Sequence, residues 1–148
     1  MKSVIARAKK ALDAVGGVAY DTDEDRIAVA AAERDGFAVS LRALGDRRFV
    51  VQYGEGWVHA FDRAEDACEC FEFGLSDSCR LRVTLRGGTP VAWQVQKREF
   101  GLWVPGRRRR AWRVPFWRRA RIVHRQNHVF SRYHRDGPDA GDGQSALL

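Results

Sequence analysis

Residues 79–86 read CRLRVTLR and constrain the fold more than any other stretch of the chain. Apolar and polar side chains alternate without a break. Cys79, Leu81, Val83 and Leu85 share one side, and Arg80, Arg82, Thr84 and Arg86 share the other. A period of two belongs to a β-strand, whose successive side chains point to opposite faces. Gly87-Gly88 follows, a pair suited to a two-residue hairpin turn that needs positive φ at both central positions. The return strand places Val91, Trp93 and Val95 on the apolar face. A hairpin this two-sided needs a core beneath one face and water over the other, as antiparallel sheets allow.

The same period appears from Phe37 onward. Residues 37–43, 48–53 and 56–61 form a three-strand meander, with turns at Gly45-Asp46 and Gly54-Glu55-Gly56. Helical spacing governs residues 3–15, where Val4, Ile5, Ala8, Ala11, Leu12 and Val15 recur behind Ser3 as N-cap, and Gly16-Gly17 stops the run. A second helix is expected from Thr22 or Asp23 to about Arg34, because Ala28 to Ala32 favour helix by propensity. A strand is the rival there, since the apolar periodicity is poor. A third helix over 63–74 has Asp62 as N-cap and Glu65 completing a capping box, with Ala64, Ala67, Cys68, Phe71 and Leu75 on one face.

Grouped strands with few helices imply an α+β fold. The expected order is α-α-βββ-α-ββ: a five-stranded, mainly antiparallel sheet with the helices packed on one face, followed by a basic C-terminal segment. Residues 1–135 read as one domain, and the Gly- and Asp-rich residues 136–148 as a disordered tail.

Charge is distributed unevenly. Residues 100–135 hold eleven arginines and no acid, so the net charge of +7 leaves −4 for the other 112 residues. Phe100, Trp103, Trp112, Phe116, Trp117, Phe130 and Tyr133 are interleaved with these arginines. Pro105-Gly106 is expected to break the segment from the body, and Pro115 to open a helix in which Phe116, Ala120, Val123, Asn127, Phe130 and His134 fall close to one face. An alternative pairs strands, Trp112-Arg113-Val114 against Arg119 to His124.

Several function classes find no support in the residues. No run of 18 apolar residues exists to span a membrane, and Lys9, Lys10 and Asp13 interrupt any export signal at the N-terminus. Cys68, Cys70 and Cys79 are an odd count without framework spacing, so free thiols in a reducing cytoplasm are expected. His124 and His128 have the spacing of a zinc helix, but HRQNH lacks the catalytic glutamate and is crowded by arginine. Ser76, Ser78 and His59 carry no nucleophile motif. Asp21, Asp23, Glu24 and Asp25 suit a helix start better than acid–base chemistry. No cofactor or metal is implied.

The expectation that remains is a non-enzymatic binding module. Its site would be Arg107, Arg108, Arg109, Arg110, Trp112, Arg113, Trp117, Arg118, Arg119 and Arg121. Its partner would be a nucleic acid or another polyanion, because arginine forks match phosphate oxygens and tryptophans offer stacking surfaces. Against this stands the use of 22 arginines and only four lysines throughout the chain, which makes arginine the default cation rather than a phosphate-specific choice. Two alternatives follow. In a homo-oligomer or protein-interaction module, Trp103, Trp112, Phe116 and Trp117 form the contact. In a small-molecule protein or enzyme without a motif, a deep pocket should be present.

Overall fold

A computed structural model describes residues 2–111 and 116–130. Among them the order is α1 (Lys2–Val15), β1 (Asp21–Thr22), β2 (Arg26–Val29), β3 (Val39–Ala43), β4 (Phe49–Tyr53), β5 (Trp57–Phe61), α2 (Ala64–Leu75), β6 (Cys79–Arg86), β7 (Thr89–Glu99), β8 (Leu102–Arg110) and β9 (Ala120–Gln126). The fold is α+β. A five-stranded antiparallel sheet runs β1-β2-β3-β4-β5, and a separate four-stranded antiparallel sheet runs β8-β7-β6-β9.

The meander forms as its alternation requires. Val39, Leu41 and Ala43 lie opposite Tyr53, Val51 and Phe49, and all six are buried. Both helices pack against this side of the first sheet and against each other. Helix α1 contributes Val4, Ile5, Ala8 and Leu12 to the core, and α2 contributes Ala67, Cys68, Phe71 and Leu75.

The expected second helix is not there. Its residues form β1 and β2, joined by a turn in which Thr22 Oγ1 donates to the Arg26 carbonyl (3.1 Å) and the Asp25 amide to Asp23 Oδ1 (2.9 Å). The reason is tertiary pairing. Ile27 and Val29 alternate, and against β3 they meet Leu41 and Val39 and become buried. Burying two β-branched chains is worth about 1.5–3 kcal/mol each, which outweighs the small helix preference of the alanines. The capping box is also absent. Helix α2 takes Arg63 as N-cap with no side-chain cap bond, so Glu65 sits in the first turn one position early and acts through the helix dipole instead.

The hairpin of 79–95 belongs to the second sheet rather than to one sheet with the meander. Gly87 and Gly88 turn it with φ of +59° and +83°, and β7 continues to Glu99 before Phe100-Gly101 turns the chain again. The remaining neighbours come from the basic segment. Residues expected as a helix after Pro115 include β9, which pairs antiparallel with β6, Val123 opposite Val83. Pro105 and Gly106 lie inside β8 rather than breaking the chain. Strand β8 is at the sheet edge, and the register shifts by a bulge between Gln94 and Gln96 next to Pro105, the two settings in which a strand tolerates proline. Residues 120–126 form a strand, as the strand alternative has it, and pair with β6, while the proposed partner Trp112-Arg113-Val114 lies outside the described residues, as does the 136–148 tail.

The inward side of β6 joins the common core through Cys79, Leu81, Val83 and Leu85. The β4–β5 turn fits beneath this sheet closely enough that a Cβ on Gly56 would lie 2.4 Å from the Trp93 indole. Two bonds fasten the sheets side by side: Trp57 Nε1 donates to the Arg107 carbonyl (3.3 Å), and Arg109 Nε to the Val58 carbonyl (3.1 Å). Beyond β9, the buried Asn127 side chain accepts from the Phe37 amide (3.1 Å). It also donates to the Phe37 and Gly74 carbonyls (2.9 Å each), joining three distant segments. No described helix is long and apolar enough to cross a membrane.

Candidate anion-binding sheet face

The register of β6–β9 decides which side chains share the outward face. One row across the sheet is Arg108, Gln94, Arg82 and His124. Beside it run Pro105, Gln96, Arg80 and Gln126 on one flank, and Arg110, Ala92, Thr84 and Ile122 on the other. Arg98 and Trp103 are paired at one end and Arg86 stands at the other. No Asp or Glu occupies an outward position of these four strands. Glu99 points to the opposite side, where it holds the buried Lys97 ammonium at 3.1 Å.

The cations are close enough to influence one another. Arg80 and Arg98 guanidiniums lie 4.5 Å and 4.9 Å from the centre of the Trp103 ring, within cation–π range. Arg80 Nε also donates to Gln96 Oε1 at 2.7 Å. Partial burial, and then the charges of Arg98 and Arg82, pull the Arg80 pKa below its ordinary value. Burial and the charges of Arg80 and Arg82 likewise hold His124 below the usual imidazole range, so it is neutral near pH 7. Among the described residues, Arg80, Arg82, Arg108 and Arg110 have no ion pair within 4 Å.

The residues expected to form one site are divided by the strand. Arg108 and Arg110 lie on the outward face, whereas Arg107 and Arg109 turn toward β5, where both depress His59 after its own burial. The loop entering β9 is anchored at the far end of the face. Arg86 Nη1 donates to the carbonyls of Phe116 (3.2 Å) and Arg118 (3.1 Å), and the Gly87 amide to that of Arg119 (3.3 Å). The Phe116 and Trp117 rings meet edge to face at 5.7 Å and are 77% and 74% exposed. Arg118 packs against Gly87, and Arg121 lies opposite Leu85, away from the outward face. Trp112 and Arg113 fall outside the described residues.

Arg80, Arg82, Arg98, Trp103 and His124 are the additions. Three outward arginines of β6 were already legible in its alternation. Their joining to Arg108 and Arg110 depended on strand order, which no local pattern carries.

No family model, curated protein or solved structure matches this chain. Geometry therefore carries the functional argument alone.

Other candidate chemistry finds little geometry. His124 ends up on a strand with His128 beyond it, so the helical spacing is not realised. No group of three His, Cys, Asp or Glu side chains suited to a metal occurs among the described residues. Burial raises the Cys68 thiol to about 11 and Cys70 to about 12, and holds Cys79 well above its ordinary range, leaving all three protonated and poorly nucleophilic. The acids at 21–25 line the β1–β2 turn, not a helix start. An open trough of about 490 Å³ crosses the outward side of the first sheet, lined by Asp21, Arg26, Ala28, Ser40 and Gln52 among others, with no His or Cys in its wall.

Proposed function

We propose that the protein is a non-enzymatic binding module that engages an extended anionic polymer on the outward face of β6–β9. The observation that carries this reading is the gathering of Arg80, Arg82, Arg108 and Arg110 on one acid-free face without ion pairs among the described residues. Holding like charges together costs electrostatic free energy, and an external anion relieves it. Had these arginines served to neutralise acids of the body, they would sit beside carboxylates. Between them Gln94 adds a further hydrogen-bonding group for a backbone, whereas Gln96 is taken up by Arg80 and Gln126 by the Asp77 carbonyl. Three free thiols, two of them buried, suit a reducing cytoplasm.

The test is retention on heparin and its salt dependence. Arg82→Ser with Arg108→Ser should elute at much lower salt, and the slope of log affinity on log salt should shrink by about two, roughly one per lost contact. Arg26→Ser with Arg42→Ser removes the same charge from the outward side of the first sheet and should leave most of the retention in place. Equal losses from both pairs would mean that net charge alone, and not this face, binds the polymer.

A second reading rests on the exposed Phe116–Trp117 pair, since large exposed rings also mark contacts between proteins. It requires a mass in light scattering that rises with concentration and falls on Trp117→Ser.

A further inference from the structure

The cationic face is bracketed by aromatic groups, and this narrows the class of polymer. At one end Trp103 lies beneath the Arg80 and Arg98 guanidiniums. At the other, Phe116 and Trp117 stand exposed on a loop whose carbonyls are held by Arg86. Arg80 and Arg86 are six residues apart on one strand, so the two ends are separated by roughly 20 Å at about 3.3 Å per residue. Arg82, Arg108 and Arg110, which form no ion pair among the described residues, lie between.

We propose that the polymer is a single-stranded nucleic acid, its phosphates tracked by Arg82, Arg108 and Arg110 and its bases stacked on Phe116 and Trp117 at one end and on the Arg–Trp103 stack at the other. This rests on the polyanion reading above. A duplex keeps its base faces inside its own stack and offers this surface phosphates alone, which leaves the two exposed rings without a role. A sulfated polysaccharide has no aromatic planes to match them, and an acidic peptide does not carry one at every charged unit. A single strand uses both features at once, because every base has a π-face and every linkage a charge.

The experiment uses the full chain and three probes: labelled single strands of about ten nucleotides, within the usual 4–16 for a small binding domain, a duplex of the same length, and heparin. Oligo(U) and oligo(dT) arms separate RNA from DNA. The single strand should bind at least about tenfold more tightly than the duplex at equal salt and should quench tryptophan fluorescence. Phe116→Ala with Trp117→Ala should weaken single-strand binding by about fivefold or more while heparin retention persists. Trp117→Phe, which keeps a stacking ring, should restore part of the loss relative to Trp117→Ala. If duplex and single strand bind alike and the ring variants change nothing, the single-strand inference falls and the polyanion reading stands. If none of the three probes binds, both fall.

Discussion

The two sheets obey the same rule on their inner sides and diverge on their outer sides. Along β2–β4 of the first sheet and the β6–β7 hairpin of the second, alternate residues are apolar and buried, and both sets merge into one core. On the outward side of the first sheet the rows hold Ala28, Ser40, Gln52 and Val58, or Arg26, Arg42, Val50 and Ala60. On the second, corresponding positions hold Arg80, Arg82, Arg98, Arg108, Arg110 and His124. Core packing restricts the inner residues to shapes that fit, whereas water accepts almost any polar side chain. The outer faces are therefore where the sequence was free to serve something other than folding. Only one of them concentrates charge of one sign.

The comparison breaks most readily at the inner sides. Trp57 is 2% exposed, stacks on Tyr53 at 4.5 Å and reaches the Arg107 carbonyl of the other sheet. Trp57→Ala should cost about 3–5 kcal/mol in urea or thermal unfolding. Trp57→Phe keeps most of the packing and removes the link between sheets, so its smaller cost measures that link. If Trp57→Ala leaves stability unchanged, the two sheets do not share a core in the way described.

Asn127 comes next in size. Asn127→Leu strands the Phe37 amide and the Phe37 and Gly74 carbonyls in a buried place, and about 3 kcal/mol of stability should be lost. A loss no greater than for a surface substitution would show that water reaches these groups.

The outward arginines should show the opposite signature. Arg82→Ser and Arg108→Ser should change unfolding free energy by no more than about 0.5 kcal/mol, even as polyanion retention collapses. A large stability loss in these variants would make the face structural.

The smallest effects are those of pH. His59 and His124 both have pKa values lowered by burial and by nearby arginines. The unfolded chain then binds more protons than the folded one, so their contribution to stability is present above about pH 6.5 and is lost as pH falls through the folded values. His59→Gln should flatten part of that acid-side decline in a pH series of thermal melts. Polyanion binding should move the other way, since bound phosphate favours imidazolium at His124. Affinity should rise below about pH 6.5, and His124→Gln should remove part of that rise. An affinity indifferent to pH in the parent protein would place His124 outside the contact.

Much of the fold was legible because alternation is a local property. Residues 79–86 could be nothing but a two-faced strand, the meander followed from the same period, and α1 from helical spacing closed by Gly16-Gly17. What failed was decided by contacts distant in sequence. Ala28 to Ala32 favour helix in isolation, but Ile27 and Val29 gain more by pairing with Leu41 and Val39. Pro105-Gly106 reads as a break, yet an edge strand with a bulge tolerates both. Asp62 looked like a cap until the chain entered α2 one residue later.

The sequence by itself determined that this chain carries a two-faced arginine strand at 79–86 and an acid-free arginine–aromatic segment at 100–135. It could not show that the two belong together. That was decided by strand order, which places β8 and β9 on either side of the 79–99 hairpin. Alternation along β8 then sends Arg108 and Arg110 outward beside Arg82 while Arg107 and Arg109 turn away. Local periodicity fixes which residues share a side of one strand, but the sheet's neighbours and register fix which strands share a face, and only that second choice assembles a site.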